Sequence, residues 1–171
     1  MELFDLYTRD REPTGKTAPR GTPLPEGFYR LVVHICFFNE KGEMLIQRRQ
    51  PFKSGWSGMW DVSVGGSALA GEDSRAAAER ETFEEIGLRV SLDRPVLTIH
   101  FDEGFDDWFV AVRDVPIEEL TLQPEEVAEV KWAAREEIAE MIREGRFIPY
   151  REELIGWLFS LCNHRGSYTV S

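Results

Sequence analysis

The chain has 171 residues, a formal net charge of −11, 42% apolar residues, five Trp and eleven Phe. That is enough chain for one domain with a real core, and too apolar and aromatic for a disordered or fibrous protein. The negative balance repels polyanions and excludes duplex nucleic acid as a main partner, while a small anionic substrate stays open if cations mask the local charge. Two cysteines, Cys36 and Cys162, make no disulfide framework. No segment nears the run of about 18 apolar residues that spans a bilayer, and the first twenty residues carry no signal-peptide core. The expectation is a reduced, cytoplasmic protein with no membrane partner.

In chain order, Glu2–Tyr7 alternates as a strand, and Arg9–Gly15 turns at Pro13 and Gly15. Ala18–Gly27, with three prolines and two glycines, reads as a loop, so residues 1–29 form a hairpin and loop extension. Leu31–Phe38 is an apolar, β-branched run that suits a buried strand, and it includes His34, which reads as a core residue rather than a ligand. Asn39–Gly42 turns and Glu43–Arg49 returns as the second strand of a hairpin. Pro51–Gly66 is a loop rich in glycine and tryptophan that closes on a short strand at Trp60–Val64. Asp73–Ile86 is helical, capped by Asp73 or Ser74 and stopped by Gly87. Strands follow at Pro95–Phe101, Trp108–Asp114 and Val130–Ala134, and amphipathic helices at Arg135–Gly145 and Arg151–Cys162. With no internal repeat, the mixture predicts a single α/β or α+β domain over 1–171, a sandwich around one sheet that ends in a helix over 150–163.

One stretch breaks a local rule. In "RETFEEIG" (Arg80–Gly87) the glutamates Glu81, Glu84 and Glu85 share a sector about 100° wide on a helix. Like charges at i,i+4 cost roughly 0.2–0.5 kcal/mol per pair. Glu84 and Glu85 also sit at the negative end of the helix dipole, with no lysine at i+4. A solvated acidic face is one reading of such a cluster; a bound divalent cation, which prefers hard oxygen ligands, is the other.

The surroundings favour the second. Gly66, five residues, Glu72, seven residues, Arg80-Glu81, two residues, Glu84-Glu85, one residue, Gly87 and Leu88 run in that order over 66–88. This pattern resembles the Nudix box at every fixed position, with a soft spot at Thr82, where the family prefers an aliphatic residue. The resemblance implies a Nudix-like α/β/α sandwich with a mixed β-sheet. It also implies a Mg²⁺-dependent hydrolase, with Mn²⁺ as a substitute, that cleaves the diphosphate linkage of a nucleoside diphosphate bonded to another moiety, or of a similar organic diphosphate. Glu81, Glu84 and Glu85 would be metal ligands, joined by the backbone carbonyl of Gly65. Arg80 would orient the acidic cluster and pair with Glu72, itself more structural than catalytic. The general base would be Glu81 first or Glu126 second, with Asp106 and Asp107 weaker candidates that shape a turn.

"LIQRRQPFKSGWSGMWD" (Leu45–Asp61) and "EEVAEVKW" (Glu125–Trp132) look like the isopentenyl diphosphate isomerase branch of the superfamily. That likeness makes Arg48, Arg49 and Lys53 candidate phosphate contacts. Trp56 and Trp60 in the same loop are candidates to line a substrate pocket, against the commoner role of such aromatics as core lids. Adjacent strand residues face opposite ways, so at most one of Arg48 and Arg49 faces the site. The isomerases carry a catalytic cysteine just before the box, and here the stretch is Val64-Gly65-Gly66. Isomerase activity and a non-catalytic nucleotide-binding module remain the alternatives to hydrolysis. The partner is a small-molecule diphosphate, and the N-terminal strand and final helix leave room for a homodimer.

Overall fold

The computed structural model describes residues 1–169. Strands β1 (Leu3–Tyr7) and β2 (Pro13–Pro19) form a separate antiparallel hairpin. The body is a seven-stranded mixed sheet of β3 (Arg30–Phe38), β4 (Met44–Arg49), β5 (Trp60–Asp61), β6 (Val64–Ser67), β7 (Leu97–Phe101), β8 (Gly104–Val112) and β9 (Val127–Ala133). Helix α1 (Ser74–Ile86) lies on one face, and α2 (Arg135–Arg143) with α3 (Glu152–Leu161) on the other.

Strand β3 is apolar on both sides because both sides are covered. Leu31, Val33, Ile35 and Phe37 pack with Ala77, Ala78 and Ile86 of α1. Cys36 and Phe38 pack with Ile138 and Met141 of α2 and Ile155 and Leu158 of α3. This is the α/β/α sandwich that the sequence predicts. Among the described residues, no helix is long and apolar enough to cross a membrane.

The site is positioned by how the free edge of β3 is shared. One edge pairs with β8 in parallel along its whole length. On the other, β6 takes Val32 to Ile35, and β4 is left with a single register pair, Phe38 with Met44. Strands β4 and β6 therefore diverge. Ser63, fully buried, spans the parting: its hydroxyl accepts from the Phe37 amide at 2.9 Å and donates to the Leu45 carbonyl at 2.5 Å. The predicted strand at Trp60–Val64 is accordingly two, because the chain leaves β4 after Asp61 and joins β3 at Val64.

Two boundaries that differ from the sequence reading bring in new partners. Pro13–Pro19 is a strand rather than turn and loop, since its backbone pairs with β1. Strand β8 begins at Gly104, so Asp106 and Asp107 lie within a strand and not at a turn. Their charges are met by partners distant in sequence. Asp107 is completely buried and is gripped by Arg11 at the hairpin turn, with Thr98 Oγ1 at 2.6 Å. Burial opposes its charge, but these bonds outweigh burial and hold its carboxyl below the ordinary range. Arg11→Ala would leave that carboxylate buried and unpaired, a loss on the order of 3–5 kcal/mol. The denaturant midpoint should fall accordingly, with part of the loss recovered by adding Asp107→Asn; an unchanged midpoint would contradict this.

Candidate active site

Helix α1 is built as its sequence predicts. Asp73 Oδ1 accepts from the Ala76 amide at 2.8 Å, and Gly87 (φ 71°) closes the last turn onto the Phe83 carbonyl at 3.0 Å. Thr82, where an aliphatic residue is usual, is fully buried and returns its hydroxyl to the Ala78 carbonyl at 2.7 Å. The core therefore accepts it without an orphaned donor.

The three glutamates do not behave alike. Glu81 is 8% exposed and lies against Gly66 of β6, where a Cβ would fall on its carboxyl group. Glu85 is 6% exposed and accepts from Gln47 Nε2 of β4 at 2.8 Å. The two carboxylates thus address the two strands that part from β3. Glu84 is half-exposed and tied to Arg80 Nη1 at 2.9 Å.

Arg80 brackets the cluster. Its Nε donates to Glu72 at 2.7 Å, Nη1 meets Glu81 at 3.0 Å, and Nη2 donates to the Ser67 carbonyl at 3.1 Å. Glu72 also accepts from the Leu69 amide at 2.9 Å, so it fastens the loop that enters the helix. Burial raises the pKa of Glu81, and the neighbouring Arg80 only partly offsets it. Burial, with the fields of Glu81, Asp61 and Glu126, pushes Glu85 up to about 8 despite the Gln47 bond.

Two buried carboxylates one turn apart on the same helix, both lifted in pKa by burial, are a donor set suited to a hard divalent cation. Among the described residues, no three His, Cys, Asp or Glu side chains converge as a closed ligand group. A cation held by Glu81 and Glu85 would complete its shell from backbone, water and substrate phosphate, which is the habit of Mg²⁺.

The loop residues divide. Arg49 shares the face of Gln47 and bonds the Gly55 carbonyl at 3.1 Å. Arg48 is set opposite Trp60 on the α2/α3 face and pairs with Glu129 at 3.1 Å, so of the two arginines it is the one that does not share the face of Gln47. Lys53 and Glu126, expected to contact phosphate and to serve as a base, are partners of each other at 2.6 Å. Trp56, at φ 51°, is about half exposed in the loop between β4 and β5. Gln47 was missed; a polar residue at a core-facing strand position is the sequence signal that could have found it.

A model of the NUDIX domain matches residues 28–155. This chain belongs to the Nudix hydrolase family. An uncharacterized Nudix hydrolase of Listeria monocytogenes is 48% identical, covering 95% of this chain and 96% of that one. An isopentenyl-diphosphate Delta-isomerase of Streptomyces coelicolor is 29% identical, over 85% of this chain and 77% of that one. The crystal structure of DR0079 from Deinococcus radiodurans superposes with a TM-score of 0.77 at 25% identity, covering 92% and 99% of the two chains. Nudix hydrolases act on diphosphate bonds, so the acidic pair at the end of α1 belongs to an enzyme.

The close approach of Gly66 to Glu81 makes a sharp test of this candidate site. Gly66→Ala would force the Glu81 carboxyl aside. We expect activity to fall by roughly 10²-fold or more, because a misplacement of about 1 Å at the chemistry costs that much. Steady-state kinetics beside a thermal melt would separate this from unfolding, and full activity would contradict the packing.

Proposed function

We propose that this chain is a Mg²⁺-dependent hydrolase that opens the diphosphate linkage between a nucleoside diphosphate, or a similar organic diphosphate, and an attached group. The observation that carries the reading is the buried Glu81–Glu85 pair, bracketed by Arg80 and set against Gly66 and Gln47. Glu81 and Glu85, with Glu84 and the Gly65 carbonyl, are the groups that would hold the cation. When bound, it screens the charge of the diphosphate and lowers the pKa of a water molecule.

The remaining work falls to side chains. Glu81 takes the proton of the attacking water; burial lifts its pKa toward the working range of a general base. Arg80 holds the Glu81 and Glu84 carboxyls in place, and Gln47 orients Glu85. Glu126 is the second candidate base, but its pairing with Lys53 makes it the poorer one. Arg49 and Lys53 supply positive charge for the phosphate oxygens. We place the activity in the cytoplasm.

The test is product release from a panel of nucleoside diphosphate sugars, dinucleotides and organic diphosphates with Mg²⁺ and with Mn²⁺. Hydrolysis of at least one compound, abolished by a chelator, is expected. Tight binding with no turnover of any compound would instead favour a binding module, and dimethylallyl diphosphate formed from its isomer would favour an isomerase.

A further inference from the structure

On the sheet face opposite α1, side chains that the diphosphate chemistry does not use form one polar wall. The His34 ring lies flat on Trp108, centroids 4.4 Å apart and planes 14° apart. His34 Nδ1 is 2.6 Å from Asp106 Oδ1, and Nε2 is 3.3 Å from the Tyr150 hydroxyl. That hydroxyl donates to Asp61 Oδ1 at 2.8 Å. Trp108 Nε1 is buried with no hydrogen-bond partner among the described residues. Four polar groups in a chain, and a fifth left unmatched, are more than this core face needs for packing.

The wall is not sealed, since the His34 and Asp106 side chains each keep 16% of their exposure. It also adjoins the acidic pair. Across β3, His34 registers with Gly65 and Val33 with Gly66. A Cβ on Gly65 would sit 2.9 Å from the His34 ring, and one on Gly66 would fall on Glu81. Consecutive glycines thus border the two groups, one on each side of the strand. Asp61 links the two as well: it registers with Gln47, the partner of Glu85, and accepts from the Tyr150 hydroxyl.

Resting on the hydrolase reading, we propose that this wall recognises the group attached to the diphosphate, and that the group carries hydroxyl or N–H donors, as a sugar or nucleoside does, rather than a prenyl chain. The bond to His34 uses Asp106 Oδ1 and leaves Oδ2 for a second donor. A donor on the ligand replaces the water that Asp106 gives up. An apolar chain removes that water and returns nothing, leaving an acceptor desolvated and unmatched. Sites built around such groups reject analogues that lack the matching partner.

The test compares a nucleoside diphosphate sugar, a nucleoside diphosphate and dimethylallyl diphosphate on the full chain with Mg²⁺. Wild type should favour the donor-bearing compounds by about 10²-fold or more in kcat/KM. Asp106→Asn should lower kcat/KM for those compounds by roughly 10- to 100-fold, mainly through KM, and leave the prenyl compound within about threefold. A preference for the prenyl compound, or an equal loss on all three, overturns the proposal while leaving hydrolysis intact. Absence of turnover in wild type would sink the hydrolase reading instead. Calorimetric affinities of the same compounds for wild type and Asp106→Asn then decide the recognition question without turnover. Should Asp106→Asn fail to melt cooperatively, Tyr150→Phe, which removes the link between His34 and Asp61, provides the second variant and should weaken the donor-bearing compounds selectively.

Discussion

Replacing Glu81 with Gln is expected to lower kcat for diphosphate hydrolysis by roughly 10²–10⁴-fold, the range for loss of a positioned general base. The melting temperature should hold or rise. Glu81 is 8% exposed, and burial already disfavours its charge. A neutral isostere removes that penalty and weakens the 3.0 Å contact with Arg80 from an ion pair to a hydrogen bond onto an amide oxygen. Function and stability therefore pull in opposite directions at this residue, as expected where a site holds charge for chemistry. The pair of assays is diagnostic. A large fall in kcat with an unchanged melt, persisting at Mg²⁺ concentrations that saturate the variant, supports Glu81 as the base and not only a cation ligand, whereas a variant that stays active would transfer the role to Glu126, for which Glu126→Gln is the matching measurement.

Divalent cation should stabilise the protein, and by more at pH 8 than at pH 5. The Glu85 carboxyl ordinarily titrates near 4.5 and stands at about 8 in the fold. Between those values the folded chain holds a proton that the unfolded chain has released, so stability without metal declines as pH rises through this window, by on the order of a few kcal/mol. A cation bound by Glu81 and Glu85 needs both deprotonated, so it competes with protons below pH 8 and prevails above. At a metal concentration of about 100 Kd, stabilisation approaches 2.7 kcal/mol, which corresponds to a rise of roughly 5–10 °C for a chain of this size. Thermal melts with Mg²⁺ and with Mn²⁺ at the two pH values would read this directly. Glu85→Gln should raise the melting temperature of the metal-free protein at pH 8 and erase most of the metal effect. Equal shifts at both pH values, or a full metal effect in Glu85→Gln, would remove Glu85 from the ligand set.

Much of this protein was legible in its sequence because much of it is local. A cap at Asp73, a stop at Gly87 and glutamates three and four residues apart depend on backbone geometry within a few turns of one helix. Period-two alternation announced that Arg48 and Arg49 point opposite ways. The apolar stretch Leu31–Phe38 likewise announced a strand covered on both faces. The Nudix box adds order without distance, since its spacing names the residues that share a helix sector.

What each of those residues meets was decided only in three dimensions. Gln47 and Glu85 are 38 residues apart, and they touch because β4 leaves β3 where it does. Which arginine shares the face of Gln47 depends on the pairing of β4 with β5 and β9, and no spacing within the chain records that register. Asp106 and Asp107 look alike as letters, yet one faces His34 and the other is buried under Arg11 from the N-terminal hairpin. Helix spacing is set by the chain's own geometry, whereas burial and partner choice follow from packing between distant segments, and at this site packing separates three similar glutamates into two buried acids and one held at the surface.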